Sequence, residues 1–294
     1  MAKGFIIKSI AGNYSVYSDN KIYICKARGK FRKENIFPVV GDDVEFDILN
    51  ENEGFITKIE KRRNFLFRPT IANIDQALII TSLVEPEFSR GLLDRFLTVI
   101  EDSNITPIIC LSKLDKTDKN KEIETIKNEY SQLGYKVIVY SAKDKRGLKE
   151  IDEVITSKRS VLTGQSGAGK STLLNALFPD LELKEGDYSK ALGRGKHTTR
   201  DTTFYFHKGG WVADTPGFSS LELKMNAIRL AAIFPGYNAH FDKCKFRGCL
   251  HINEKDCCIK QLVEEGSLNK ESYENYVSFQ TELKEGKKVY TKKR

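Results

Sequence analysis

Short runs of alternating hydrophobic and polar residues fill the first 68 residues of this 294-residue chain. Clear examples are the segments NYSVY (13–17), KIYIC (21–25) and DDVEFDI (42–48), which are separated by turn signals such as Gly12–Asn13 and Asp19–Asn20. A period of two residues is typical of strands with one buried face. About five short strands in so few residues predict a small barrel, and the OB-fold is the usual architecture of that size.

The pattern changes at about Asp75, where apolar strand-like runs begin to alternate with helical stretches. The expected buried strands are QALIITSL (76–83), TPIICLS (106–112), KVIVYSA (136–142), SVLTG (160–164) and WVADTPG (211–217). Helical spacing appears between them at Leu93, Phe96, Leu97 and Ile100 after a capping Ser89, and again from Ile123 to Leu133 before Gly134. This alternation predicts a doubly wound, mostly parallel α/β sheet.

The strand pattern stops after Gly217. A cluster of cysteines and a histidine follows, then helical patterns from Ile259 and from about Asn269, and a basic tail, GKKVYTKKR. We therefore predict three domains: an all-β barrel over 1–68, an α/β domain over 69–219 and a mainly α-helical domain over 220–294.

Composition narrows the class of protein. Hydrophobic residues make up 40% and charged residues 30% of the chain, and no apolar run approaches the roughly 18 residues of a membrane helix. With no signal peptide visible, we expect a cytoplasmic protein, monomeric by default, with no membrane partner. The net charge of +8 favours a polyanionic partner such as RNA.

The motif that carries most chemistry is GQSGAGKS, between the strand SVLT and the helix STLLNALF. This context is the one a phosphate-binding loop requires, because backbone N–H groups and a helix N-terminus then face phosphate oxygens. Lys170 would neutralise the β and γ phosphates and Ser171 would bind Mg²⁺. An ordinary glycine-rich turn is the alternative. The predicted phosphate-binding residues are Gly164, Gln165, Ser166, Gly167, Ala168, Gly169, Lys170, Ser171 and Thr172.

Two motifs at strand ends fit a guanine base. In SKLD the Asp115 carboxylate would accept the N1–H and exocyclic amine of guanine, a donor pair that adenine lacks. In SAK the Ala142 N–H would reach O6. GTPases usually carry Asn where Ser112 stands, so this chain loses an amide contact. The predicted base-binding residues are Ser112, Lys113, Leu114, Asp115, Ser141, Ala142 and Lys143.

DTPG (214–217) and GRGKHTTRD (193–201) complete the expected nucleotide site. Asp214 would hold Mg²⁺ through water, and the Gly217 N–H would meet the γ-phosphate. In the basic loop Thr199, with Thr198 in reserve, would complete the magnesium shell; a solvated loop is the alternative. Because apolar Phe218 follows DTPG where many GTPases place a water-orienting Gln, His197 is our candidate catalytic residue.

The order of these motifs is itself informative. Ordinary GTPases present the phosphate loop first and the guanine motifs last, whereas here SKLD and SAK precede the phosphate loop. The same sheet can form with relocated termini, so the sequence predicts a circular permutation.

Three cysteines and one histidine crowd into one short C-terminal segment: Cys244, Cys249, His251 and Cys257. In a reducing compartment these residues favour one structural, tetrahedral zinc site over disulfides, with Cys258 as the alternative fourth ligand. A set of reduced core thiols is the competing interpretation.

Taken together, the rotated order and the segments GRGKHTT, DTPGFSS and CKFRGCLH resemble the ribosome small subunit-dependent GTPase A family (RsgA, also called YjeQ or YloQ) over essentially the whole chain. The resemblance implies an OB-fold that binds RNA, a permuted GTPase domain and a zinc domain. It also implies a late assembly factor that binds the small ribosomal subunit and its rRNA, and whose slow hydrolysis of GTP to GDP the subunit stimulates. His197 would act in that hydrolysis, and the four clustered residues would bind zinc. Two other functions remain open: a regulatory GTPase acting on a protein partner, and a zinc-containing nucleic-acid binder with a vestigial nucleotide site.

Overall fold

The N-terminal strands close into a barrel. The computed structural model describes residues 1–29, 31, 36–67, 69–179, 202–214 and 221–286. Five strands pair in the order β1-β2-β3-β5-β4, β4 also pairs with β1, and only β3 and β5 run parallel. The predicted five-stranded barrel is therefore confirmed. Its strands are β1 (Ala2–Ile10), β2 (Asn13–Ser18), β3 (Lys21–Ala27), β4 (Asp43–Ile48) and β5 (Glu53–Ile59).

Alternating side chains fill the interior of the barrel. Val16, Cys25, Phe46 and Ile56 are fully buried, each from a different strand. Gly54 is needed where two strands approach, since a Cβ atom there would lie 2.8 Å from the Asp47 carbonyl oxygen. The period-two pattern of the sequence thus corresponds to an inward and an outward face.

A second group of strands forms the central sheet. After a short hairpin of β6 (Phe65–Phe67) and β7 (Thr70–Ala72), six strands lie in the order β10-β9-β8-β11-β13-β12. All neighbours are parallel except β12, which runs antiparallel to β13 and which the sequence pattern did not predict. The strands are β8 (Gln76–Ser82), β9 (Thr106–Ser112), β10 (Lys136–Val139), β11 (Arg159–Gly164), β12 (Thr203–His207) and β13 (Gly210–Asp214).

Helices cover both faces of this sheet, as predicted. They are α1 (Arg90–Asp102), α2 (Asn120–Gln132), α3 (Leu148–Ile155) and α4 (Lys170–Leu177). Alternate residues of β8 belong to two cores: Ala77 and Ile79 pack with α1 and α2, and Leu78 and Ile80 with α3 and α4. The Ser89 hydroxyl caps α1 by accepting the Leu92 N–H at 3.3 Å, as its sequence position predicted.

The barrel is joined to the edge of the central sheet. β1 pairs with β12 at Lys8 and Thr203, so the two sheets are continuous. The Trp211 ring on β13 packs edge-on against Phe5, with centroids 5.1 Å apart. Arg159 on β11 donates to the Asp43 carboxylate at 2.8 Å, which fixes the barrel against the strand that leads to the phosphate loop.

The C-terminal residues form a helical unit around α5 (Ala227–Ile233), a 3₁₀ turn (Phe241–Lys243), α6 (Cys258–Glu264) and α7 (Lys270–Glu285). Phe234, Tyr237 and Tyr276 are buried at its centre. This unit docks on α1, where the Asn275 amide donates to the Asp94 carboxylate at 3.1 Å. The predicted domain limits at residues 68 and 219 remain predictions.

None of the helices within the described residues has both the length and the apolar character that crossing a membrane requires.

Candidate functional site

The three nucleotide motifs that the structure describes in full, SKLD, SAK and GQSGAGKS, follow strands of the parallel sheet at its carboxyl edge. β8 and β9 are in register from Gln76 and Thr106 up to Ser82 and Ser112, and Gly164 at the end of β11 pairs with Ile80. Parallel α/β sheets bind ligands at this edge, where the strand order reverses. The site is therefore built from loops that are far apart in sequence and adjacent in space.

Glycines shape the loop between β11 and α4. At Gly164 φ is +133° and a Cβ would lie 2.0 Å from the Ile80 carbonyl oxygen, so no other residue fits there. Gly169, with φ of +97°, precedes the first residue of α4. The backbone N–H groups of a first helical turn have no intrahelical acceptor, and they favour an anion. The loop and the helix end thus have the form of a phosphate cradle.

Lys170 stands at the mouth of this loop. Its ammonium donates to the carbonyl oxygens of Gly164 at 2.8 Å and Gln165 at 2.7 Å. Burial lowers the pKa of Lys170, and attraction to the Asp214 carboxylate opposes that shift. Asp214 ends β13, so the structure brings the phosphate-loop lysine and the predicted magnesium-site aspartate into one electrostatic neighbourhood.

Ser112 ties the first guanine motif to the phosphate loop. Its side chain is 2% exposed. The hydroxyl lies 2.6 Å from the carbonyl oxygen of Ala168, to which it donates, and 3.2 Å from that of Thr81. The neighbouring Lys113, which adopts a φ of +63°, donates from its ammonium to the Gly167 carbonyl oxygen at 2.8 Å.

The second guanine motif is joined to the first through a side-chain hydrogen bond. The buried Ser141 hydroxyl donates to the Asp115 carboxylate at 2.9 Å. The Ser141 hydroxyl oxygen also accepts the Asp144 N–H at 3.3 Å, so Ser141 organises the loop after β10. A hydrogen bond from Arg146 lowers the pKa of the exposed Asp144 carboxyl to about 2. The loop that carries Asp115 is therefore hydrogen-bonded both to the loop after β10 and, through Ser112, to the phosphate loop that precedes Lys170.

Some of the remaining predicted residues of the nucleotide site are described by the structure, and the others are not. Leu114 lies in a 3₁₀ turn with Asp115, Ser171 and Thr172 lie in the first turn of α4, and Ala142 and Lys143 follow Ser141. The other four residues lie outside the described part of the chain: His197, Thr198, Thr199 and Gly217.

The four predicted metal ligands lie together in the C-terminal unit. One donor atom from each of Cys244, Cys249, His251 and Cys257 lies within 4.8 Å of every other. The His251 Nδ1 atom is 3.5 Å from the Cys244 sulfur and 3.3 Å from the Cys257 sulfur. Cys258, the alternative ligand, is instead the first residue of α6.

The chemistry of this donor set suits a thiophilic metal ion. Burial raises the pKa of the Cys249 thiol to about 12, an unfavourable setting for thiolates unless a cation compensates them. Burial lowers the pKa of His251, which keeps the imidazole neutral and able to coordinate. Three thiolates and one imidazole fit tetrahedral zinc.

The loop is braced by residues that the sequence analysis missed. The Glu254 carboxylate accepts the N–H groups of Leu250 at 2.8 Å, Ile252 at 2.9 Å and Asn253 at 3.1 Å. The Tyr273 hydroxyl donates to the His251 carbonyl oxygen at 2.8 Å. The only sequence signal for Glu254 was its position between two predicted ligands.

A central parallel sheet with this strand order, a phosphate loop and guanine motifs that precede it define a circularly permuted GTPase. The sequence model of the RsgA N-terminal domain matches residues 3–56, and that of the RsgA GTPase matches residues 59–224. The chain therefore belongs to the RsgA family of GTPases, and it is a GTP hydrolase.

Similar proteins align over their whole length. A Geobacillus sp. (strain WCH70) protein named small ribosomal subunit biogenesis GTPase RsgA is 48% identical, covering 99% of this chain and 100% of the relative. The Bacillus subtilis protein of that name is 44% identical with the same coverage. The crystal structure of YloQ, described as a circularly permuted GTPase, superposes with a TM-score of 0.83 at 40% identity over 97% of this chain and 96% of that one. YjeQ from Thermotoga maritima gives 0.82 at 31% identity, over 96% and 98%.

Proposed function

We propose that this GTPase acts in the assembly of the small ribosomal subunit, binding the subunit through its rRNA and hydrolysing GTP to GDP and phosphate there. The observation that carries the proposal is the full-length identity of 48% to a relative named for that role, with all three structural units included. The net charge of +8 supports an RNA partner, because phosphate contacts dominate such affinity.

In the proposed site the triphosphate lies along the glycine loop. Lys170 leaves its two carbonyl partners to contact the β and γ phosphates, and the N–H groups of residues 165–172 contact the remaining oxygens. Ser171, Asp214 and Thr199, with Thr198 as the alternative, would hold a magnesium ion. That ion would supply positive charge to the β- and γ-phosphate oxygens.

The base would lie between the two guanine motifs. Asp115, oriented by Ser141, accepts N1–H and the exocyclic amine, and the Ala142 N–H donates to O6. Since adenine presents no such donor pair, an unsatisfied carboxylate would penalise ATP. We propose that His197 orients the attacking water and that the Gly217 N–H contacts the γ-phosphate.

We also propose that Cys244, Cys249, His251 and Cys257 hold one structural zinc ion. Their donor atoms already converge in a buried loop, so the ion would fix the exposed basic segment with Lys243, Lys245 and Arg247 on a rigid support. Cations held in this way are suited to contact RNA phosphates.

Nucleotide state would reach the C-terminal unit through the chain that follows Asp214. Loss of γ-phosphate contacts in the 214–217 motif is expected to move the segment attached to it. Hydrogen exchange of residues 218–294 should therefore differ between the GDP state and a GTP-analogue state. Identical protection in both states would contradict this coupling.

The decisive experiment is GTP turnover with and without purified small ribosomal subunits. We expect faster turnover with small subunits than with large subunits, and no stimulated turnover from Lys170→Ala. Binding to the subunit should weaken linearly in log Kd against log salt concentration, as for rRNA phosphate contacts. Equal turnover under all conditions would refute the proposal. Stimulation by a protein fraction free of RNA would favour the alternative, a regulatory GTPase with a protein partner.

A further inference from the structure

Ser112 stands where GTPases usually carry Asn, at the end of β9 and three residues before Asp115. An asparagine amide has two donor hydrogens, and it can use one to hold the protein while the other faces a ligand. A serine hydroxyl has a single donor hydrogen. The destination of that hydrogen decides whether residue 112 can contact the base.

The Ser112 hydrogen is committed to the protein backbone. The Oγ atom lies 2.6 Å from the Ala168 carbonyl oxygen and 3.2 Å from the Thr81 carbonyl oxygen, and both are acceptors. The side chain is only 2% exposed, so it is enclosed between β8 and the phosphate loop. Ser112 therefore presents no donor to a nucleotide.

The ammonium group of the next residue, Lys113, is also hydrogen-bonded to the protein backbone. The Lys113 ammonium donates to the carbonyl oxygens of Gly167, at 2.8 Å, and Glu85. Guanine N7 carries a lone pair and no hydrogen, so it is recognised only by a donor. In the proposed placement, with Asp115 along N1 and Ala142 at O6, the adjoining N7 atom of the base would face the end of β9, where residue 112 lies.

We propose that this GTPase does not read N7 of guanine, so that its base specificity comes from the N1, exocyclic amine and O6 contacts. The inference depends on the proposed placement of the base against Asp115. Its chemical consequence is that a nucleotide with carbon in place of N7 binds as well as the natural one. Ser112 acts here as a positioning residue that fixes the phosphate loop.

Equilibrium binding of GDP and 7-deaza-GDP to the full-length protein tests this directly. We expect the two Kd values of the unchanged protein to agree within about twofold. In Ser112→Asn the amide gains a donor for N7, and one hydrogen bond corresponds to a preference for GDP of about 3- to 10-fold. In Ser112→Ala both affinities should fall together, because the phosphate loop loses its contact while the ratio stays near one.

A preference of the unchanged protein for GDP of about threefold or more would overturn the proposal, since one hydrogen bond has at least that effect. Equal binding of GDP and 7-deaza-GDP by a folded Ser112→Asn protein would overturn the assignment of this property to Ser112, by showing that N7 lies away from residue 112. ADP serves as the control for the pocket. Failure to bind GDP, or binding of ADP as tightly as GDP, would refute the proposed function itself. If the protein prefers GDP to ADP and also prefers GDP to 7-deaza-GDP, only this inference is refuted.

Discussion

Replacing Glu254 with Gln should weaken metal binding although Glu254 is not a ligand. One carboxylate oxygen accepts the Leu250 N–H, and the other accepts the N–H groups of Ile252 and Asn253. These bonds hold the backbone of the loop that carries His251 to Cys257. Burial alone would raise the pKa of Glu254, but the three N–H groups keep it below its ordinary value.

The magnitude follows from what glutamine cannot do. Its NH₂ group is not an acceptor, so one or two of the three hydrogen bonds are lost, together with the charge that strengthens the rest. Such bonds contribute about 1.5–3 kcal/mol each when buried. Because Glu254 is only half-buried, hydrogen bonds to water replace part of the lost interaction. We therefore expect the free energy of metal binding to weaken by about 1–2 kcal/mol, which is a loss of about 5- to 30-fold in metal affinity.

The assay is competition for zinc between the loaded full-length protein and a chromophoric chelator of known affinity. Glu264→Gln is the matched control, because Glu264 is an exposed residue near the end of α6 and should leave the zinc Kd unchanged. A zinc Kd for Glu254→Gln within twofold of the unchanged protein would refute the reasoning. An equal loss in the control would show a general effect of charge instead.

Three further changes test other parts of the structure. Asp115→Asn should shift the binding preference from GTP toward xanthosine triphosphate, measured by competition. A retained preference for GTP would show that Asp115 does not contact the base. Gly164→Ala should lower the melting temperature sharply, because its Cβ would lie 2.0 Å from the Ile80 carbonyl oxygen, and Gly134→Ala, which meets nothing within 4 Å, should affect it less. Burial raises the pKa of Asp94, against hydrogen bonds from Tyr130 and Asn275, so its stabilising contribution is present at acidic pH and is lost as pH rises through the folded-state pKa. The difference in melting temperature between the unchanged protein and Asp94→Asn should therefore shift steadily in favour of the variant as pH increases, and a constant difference would contradict this.

Hydrophobic periodicity predicted the buried strands and helices of the fold, but it missed the half-exposed strand β12. β8 is buried along its whole length, so it reads as a continuous apolar run between turn signals. β12 was missed because it is short and its second half is not buried, with Phe206 57% exposed. An edge that is covered by another domain, here through Lys8 and Thr203, has no signal in local sequence.

The chemistry of the sites was predictable to the extent that it depends on residue type. Lys170 and the cysteine cluster were found from spacing, because phosphate loops and metal sites use short segments. The Ser112 bond to Ala168 and the Glu254 bonds to three N–H groups were not, since they depend on the relative placement of loops. Residue type indicated that Ser112 loses a contact, and only the structure shows what it does instead.

In the permuted order, the chain that leaves the nucleotide site at Asp214 continues directly into the C-terminal unit. Only six residues separate Asp214 from Leu221, whose carbonyl oxygen accepts a hydrogen bond from Arg95 on α1 at 3.1 Å. Arg95 also pairs with Glu282 of α7 at 3.0 Å and lies 4.3 Å from the centre of the Phe279 ring. One guanidinium therefore joins the chain leaving the nucleotide site, a helix of the GTPase sheet and the last described helix. If the proposed coupling operates, we therefore expect a change at Asp214 to reach the C-terminal unit through the contacts of Arg95.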